Sequence, residues 1–199
     1  QPCELGNLAS YLIDVRSAED VTGGIMFSRE QNIRLVIKNT GHDYAGMSTG
    51  KGGLSLWTRN LGSTQFIYTY ESSYYNGPAI KLGAGVQGFE AYATANTTGQ
   101  GFVGGVCHIV AIAGGFGLGG GHSILSNSHG TGSDNVLEWE VVTMDGRHLP
   151  EQNSNLYWAP SGSGPGTFTV VLSMTARLHA DGIIGGANLR CNWEFYPFT

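Results

Sequence analysis

Residues 101–135 read GFVGGVCHIVAIAGGFGLGGGHSILSNSHGTGSDN. Large side chains are scarce in this stretch, while glycines, one cysteine (Cys107) and three histidines (His108, His122, His129) are concentrated in it. Such a segment cannot build a core of its own. It suits a backbone that lies flat against a planar body or wraps a phosphate with its N–H groups, because glycine lacks a Cβ and tolerates positive φ. Residues 38–50, KNTGHDYAGMSTG, have the same character and follow a β-branched apolar run, Ile33–Ile37. A strand that runs into a Gly-rich loop is a common way to bring backbone N–H groups to an anion.

The totals fit an extended ligand site in an ordinary core. Glycine supplies 32 of 199 residues, roughly twice the usual share of about 7%, without a collagen period. Hydrophobic residues are 41% of the chain, so a core is available. The net charge is −5 with ten Lys and Arg, scattered singly; a nucleic-acid partner needs a basic face. No apolar run reaches the 18 residues of a membrane span. Three cysteines (Cys3, Cys107, Cys191) leave at least one unpaired within the chain. Asn96-Thr97-Thr98 is a glycosylation sequon, and the expectation is a secreted, extracellular glycoprotein.

Outward from the two loops, the chain reads as strands with few helices. Strands are expected at 8–15, 33–37, 53–57, 64–70, 79–86, 136–143 and 167–179, by alternation or β-branched content. Ser17 with Glu19 and Asp20 marks the start of a helix running to Glu30, with Val21, Ile25 and Met26 on its inner face and Gly23-Gly24 weakening it. A second helix is expected over 88–97 and a helical turn at 155–159. Trp57, Trp139 and Trp158 read as core. The result is an α+β pattern, not regular βαβ alternation. Gly117-Leu118-Gly119-Gly120-Gly121 does not make a dinucleotide fingerprint.

Each candidate residue also has a plain reading. His42 after a Gly suits a turn, and a lone Cys is usually a buried small hydrophobe. His108, His122 and His129 are spaced by 14 and 7 residues, which gives no i, i+4 pair and no zinc set. Tyr68, Tyr70, Tyr74 and Tyr75 suit packing better than a pocket. Asp134 suits a loop anchor. The Ser-Gly-Ser-Gly run at 161–164 is loop-like and makes no recognisable nucleophile elbow.

Four segments carry a resemblance: RLVIKNTGHDYAGMSTG (34–50), GVCHIVAIAGGFGLGGGHS (105–123), SDNVLEWEVVTMDG (133–146) and NLYWAPSGSGPGTFTVVLSMT (155–175). In order and spacing they resemble flavoproteins of the vanillyl-alcohol oxidase type, most closely the fungal branch of berberine-bridge-enzyme-like oxidases, over roughly residues 3–190. The resemblance implies an FAD-binding domain of the PCMH type over 1–185, in two α+β subdomains (1–85 and 86–185) with FAD between them. Residues 186–199 would begin a substrate domain largely absent from this chain.

The same resemblance implies site residues. Lys38, Asn39, Thr40, Gly41, His42 and Asp43 would wrap the FAD pyrophosphate, with Ser48 nearby. His42 would bond the flavin 8α carbon and Cys107, after Gly105, would bond flavin C6, giving a bicovalent cofactor. Val110, Ala113, Gly114, Gly115, Gly120 and Gly121 would run along the ring and pyrophosphate, and Asp134, Val141 and Val142 would approach the adenine end. Ala111, Ser163 and Thr169 replace the family's usual glycines, and Pro160 is also unusual; these changes would narrow the site.

The implied activity is an oxidoreductase passing hydride from a small organic substrate to FAD, with O2 as the final acceptor. Two alternatives stay open: a non-redox flavin-bound pericyclase or isomerase, and a truncated non-catalytic module. The catalytic base is expected from a substrate domain, in the same or a companion chain. That part would also cover the aromatic tail (Trp193, Phe195, Tyr196, Phe198), and a partner for Cys3 is expected upstream.

Overall fold

The computed structural model describes residues 4–151 and 154–187. Cys3, Cys191 and the aromatic tail lie outside the described residues.

The first layer is a parallel sheet in the order β1 (Tyr11–Asp14), β3 (Leu54–Trp57), β2 (Leu35–Lys38). Helix α1 (Ala18–Glu30) packs on it. Ser17 starts the helix as expected: its hydroxyl accepts from Asp20 N–H, and the Asp20 carboxylate accepts from Ser17 N–H, a reciprocal cap that satisfies two end donors. The buried stripe is Val21, Gly24, Ile25 and Ser28. Met26 is not part of it and is 41% exposed, because it stands about 100° round the helix from Ile25. Gly24, which weakens the isolated helix, is what lets it approach the sheet. A Cβ there would lie 2.5 Å from Leu56 Cδ2 and 2.9 Å from Ile13 Cδ1.

The second layer is an antiparallel sheet in the order β4 (Thr64–Glu71), β5 (Asn76–Gly83), β9 (Thr169–Arg177), β7 (Val136–Thr143), β8 (His148–Glu151). The division between the two sheets falls between Trp57 and Thr64, because β5 pairs with β9. Helix α2 (Gly88–Asn96) lies beside β4, and β6 (Gln100–Gly101) pairs with β10 (His179–Ala180). Short helices α3 (Ser126–His129) and α4 (Asn155–Trp158) complete the set. One core cluster joins Ile80, Leu82, Ile112, Leu118, Trp139 and Met174. A second, with Val15, Val21, Ile25, Leu56, Val142 and Val170, ties α1 to the large sheet.

Trp139 is fully buried, but Trp158 is 62% exposed. It lies edge-on to Tyr157, which takes the buried place in α4. Of the tyrosine patch, Tyr68 is exposed. Tyr74 donates to Leu137 O and Tyr75 to Pro78 O, so these two brace the chain.

On the large sheet, Glu140 binds Lys81 Nζ and His148 Nε2, each at 2.9 Å, and accepts from Ser173 Oγ. Burial alone would raise its carboxyl, but the hydrogen bonds from Ser173, Lys81 and His148 outweigh it and hold it at about 2, against an ordinary 4.5. A carboxylate depressed in the folded state stabilises above its unfolded value. That stabilisation is complete above pH 4.5 and is lost as pH falls toward 2. Glu140→Gln should therefore cost about 1–2 kcal/mol at neutral pH, discounted for partial exposure. It should also flatten the fall in stability between pH 4.5 and 2. Urea melts across that range check both.

Candidate functional site

Between the two layers lies a cleft of about 880 Å³. Its first wall is the loop that leaves β2. Asn39 fixes this loop. Its Nδ2 donates to Ala84 O (2.6 Å) and Thr58 Oγ1 (3.0 Å), and its carbonyl accepts from Trp57 Nε1 (3.1 Å). Gly41 takes φ +88°, a value other residues reach only with strain. Asp43 closes the turn by accepting from Met47 N–H. The backbone N–H groups of Thr40 to Ala45 have no hydrogen-bond partner among the described residues. Asn39 Oδ1 is buried and also lacks one. Six free donors and one orphaned acceptor on a cleft wall are the requirements of an anionic, hydrogen-bonding ligand.

The opposite wall is the Gly-rich stretch. An irregular helical turn, Ile112–Phe116, is broken at Gly114 (ψ −127°). Ile112 N–H donates to Val86 O, which anchors the turn to the segment after β5. Gly114 touches the first wall: a Cβ there would lie 2.9 Å from Asn39 Nδ2. The two Gly loops therefore meet, and glycine is required where they do. The floor includes Leu35 and Ile37 of β2 and Thr169–Val171 of β9.

Most of the expected residues come together here. Asn39, Thr40, Gly41, His42, Asp43, Ser48, Cys107, Val110, Gly114 and Gly115 line the cleft. His42 and Cys107 are both exposed on its wall, and Cys107 is a free thiol. Lys38 lines an adjoining hollow of about 370 Å³ that shares Asn39, Thr40 and His42 with the cleft.

Other expected residues do not line it. Ala113 is buried in the core, and Gly105 sits behind the Phe116 ring. Gly120 and Gly121 form a corner at φ +97° and +75°, whose carbonyls accept from Ser133 and Gly132. A Cβ on Gly121 would also lie 2.8 Å from the Phe116 ring. Asp134 accepts from Thr131 N–H (2.7 Å) and Oγ1 (2.8 Å), the loop anchor of its plain reading. Val141 and Val142 are fully buried in β7, one in each core cluster.

Residues not chosen from the sequence also line the cleft: Tyr44, Met47, Phe116, Met144 and the Pro165–Thr167 turn. Of the unusual positions, Ala111 and Thr169 line it. The glycine-rich composition of the loop at 161–166 is the signal in the sequence for the Pro165–Thr167 turn.

Phe89 N–H donates to His108 O and Gly88 N–H to Val110 O, so the start of α2 carries the Cys107 loop. Arg59 supports that start through Gly85 O (2.8 Å) and Gln87 Oε1 (2.7 Å).

Residues 9–150 match the family model described as FAD binding domain. The chain is 64% identical over 195 residues to the VAO-type flavoprotein oxidase VAO615 of Thermothelomyces thermophilus, covering 96% of this chain and 34% of that protein. It is 55% identical over 195 residues to the bifunctional decalin synthase calF of Penicillium decumbens, again 96% and 34%. It superposes with TM-score 0.89 on the crystal structure of the VAO-type flavoprotein MtVAO615 from Myceliophthora thermophila C1, at 64% identity, covering 92% of this chain and 34% of that one. The chain thus spans about a third of the length of these relatives. It belongs to the FAD binding domain family, and the relatives it resembles here include VAO-type flavoproteins.

Proposed function

We propose that this chain holds FAD in the cleft between its two sheets and forms the cofactor half of a flavin-dependent oxidoreductase acting on a small organic substrate. The observation that carries this is the joint lining of one cleft by six free backbone N–H donors, His42 and Cys107. The N–H groups of Thr40–Asp43 bind the pyrophosphate, and Asn39 Oδ1 accepts from the cofactor. FAD supplies hydride acceptance and the passage of electrons to dioxygen; the chain supplies position and electrostatics. His42 and Cys107 attach the cofactor covalently. The His42 attachment replaces a C–H of the 8α-methyl group and an N–H bond, the Cys107 attachment a C6–H and an S–H bond, each with two electrons and two protons leaving to dioxygen. The catalytic base comes from a substrate domain in a longer or companion chain. The protein is secreted, with Asn96, exposed at the end of α2, as a glycan acceptor.

A visible spectrum of the whole purified protein, before and after acid precipitation, tests this reading. Yellow colour that stays with the pellet is expected. A colourless protein would sink the cofactor assignment, and colour left wholly in the supernatant would sink the covalent one.

The similarity to a decalin synthase supports a second reading, flavin-bound ring formation without net redox. Substrate turnover without oxygen uptake would select it.

A further inference from the structure

Cys107 lies in a segment, residues 103–110, without regular structure, and Val106, His108 and Ile109 beside it are exposed. Burial does not place the thiol, so the bonds to the flanking carbonyls must. After Cys107 there are three, all from the start of α2. Phe89 N–H donates to His108 O (2.9 Å), Gly88 N–H to Val110 O (3.0 Å) and Gln87 Nε2 to Ile109 O (2.7 Å). Before Cys107 there is one, from Tyr92 Oη to Gly105 O (2.6 Å). Among the described residues, 103–106 make no other hydrogen bond.

Phe116 closes the other side of Gly105. A Cβ on Gly105 would stand 3.1 Å from its ring, and the same ring meets the Cβ positions of Gly121 (2.8 Å) and Gly132 (2.7 Å). Three glycines from three loops thus make a socket for one ring. Tyr92 lies three and four residues after Phe89 and Gly88, one turn along α2. Helix, Gly105 and Phe116 form one stack, whose free end is Cys107. Burial pushes the Tyr92 hydroxyl up to about 12, so it stays a donor at every working pH.

We infer that Tyr92 and Phe116 are positioning residues for Cys107, pinning Gly105 two residues ahead of it and so setting where its sulfur stands in the cleft. The inference rests on the proposed attachment of FAD to Cys107. That attachment trades the Cys107 S–H and one ring C–H for a C–S bond, its two electrons and two protons passing to dioxygen. Neither Tyr92 nor Phe116 takes part in the exchange. They govern its geometry; attachment through His42, on the opposite wall, does not depend on Tyr92, whereas Phe116 also lines the cleft.

The test uses the whole protein with Tyr92→Phe and, separately, Phe116→Leu. Both keep apolar bulk, so the fold survives. Peptide mass spectrometry gives the flavin carried on Cys107 relative to that on His42. The ratio should fall about tenfold in each variant, within the about 100-fold that an ångström of misplacement can cost. The His42 share should hold in Tyr92→Phe; Phe116 lines the cleft itself, so its variant is read from the Cys107-to-His42 ratio. A wild-type ratio in both variants overturns the inference. So does an equal loss from both residues, which would mark general loosening. If the wild-type protein carries no flavin on Cys107, the attachment reading fails by itself. Positioning is then read from alkylation of Cys107 by iodoacetamide in the native protein. A change of about tenfold in both variants supports it, and unchanged rates overturn it.

Discussion

In the whole protein carrying His42→Ala and Cys107→Ala together, acid should release all of the flavin, whereas the wild-type pellet should keep its colour. Each single variant should retain colour through the remaining residue. The expectation rests on position: both side chains are exposed on the wall of one cleft, on opposite loops. One is fixed by Asn39 reaching across to Ala84, the other by the start of α2. Two anchors from two layers hold a planar ring against both translation and rotation. Non-covalent binding should survive the double change, because the backbone donors of Thr40–Ala45 are untouched. The native double variant should therefore still be yellow before acid, at reduced occupancy after dialysis. Absorbance ratios before and after precipitation read all of this. A double variant whose pellet stays coloured would place the linkage on another residue. A wild-type pellet without colour would remove the linkage altogether.

Where a signal is local, the sequence carried it. Ser17 and Asp20 cap each other within one turn, and the β-branched alternation of 136–143 forms β7. The two Gly loops were legible because glycine density survives any tertiary context. What failed depends on contacts distant in sequence. Gly24 looks like a helix defect until Leu56 and Ile13 are seen against it. The strand at His148–Glu151 was missed because Pro150 argues against a strand, yet as the sheet's outermost member it needs no donor there. The turn Ile112–Phe116 has no helical pattern. Ile112 N–H donating to Val86 O anchors its start, and Asn39 packs against its middle at Gly114. Val141 and Val142 carry no mark separating a cofactor contact from a core position; the structure buries both in β7.

The largest loss of stability should come from Trp139→Ala. Trp139 is fully buried and pairs across the sheet with Met174. Its Nε1 donates to Ser161 Oγ at 2.9 Å, and Ser161 in turn donates to Tyr157 O. Emptying such a site costs about 3–5 kcal/mol, out of a total that is typically 5–15. For a chain of this size the melting temperature should drop by roughly 6–20 °C. Trp139→Phe should cost less, since the ring stays and only the N–H bond is lost. Trp158→Ala, on an exposed ring, should stay within about 1 kcal/mol. The consequence reaches the site. A Cβ at Gly117 would lie 3.0 Å from the Trp139 ring and 3.3 Å from Met174 Sδ, so the Gly-rich wall rests directly on this side chain. Without it, the segment from Gly114 to Leu118 loses its support, and flavin occupancy should fall along with stability. Thermal melts paired with the flavin-to-protein absorbance ratio measure both. If Trp139→Ala melts within a few degrees of wild type, the wall does not rest on Trp139. If it melts far lower but binds flavin fully, the loops set the site without help from the core beneath them.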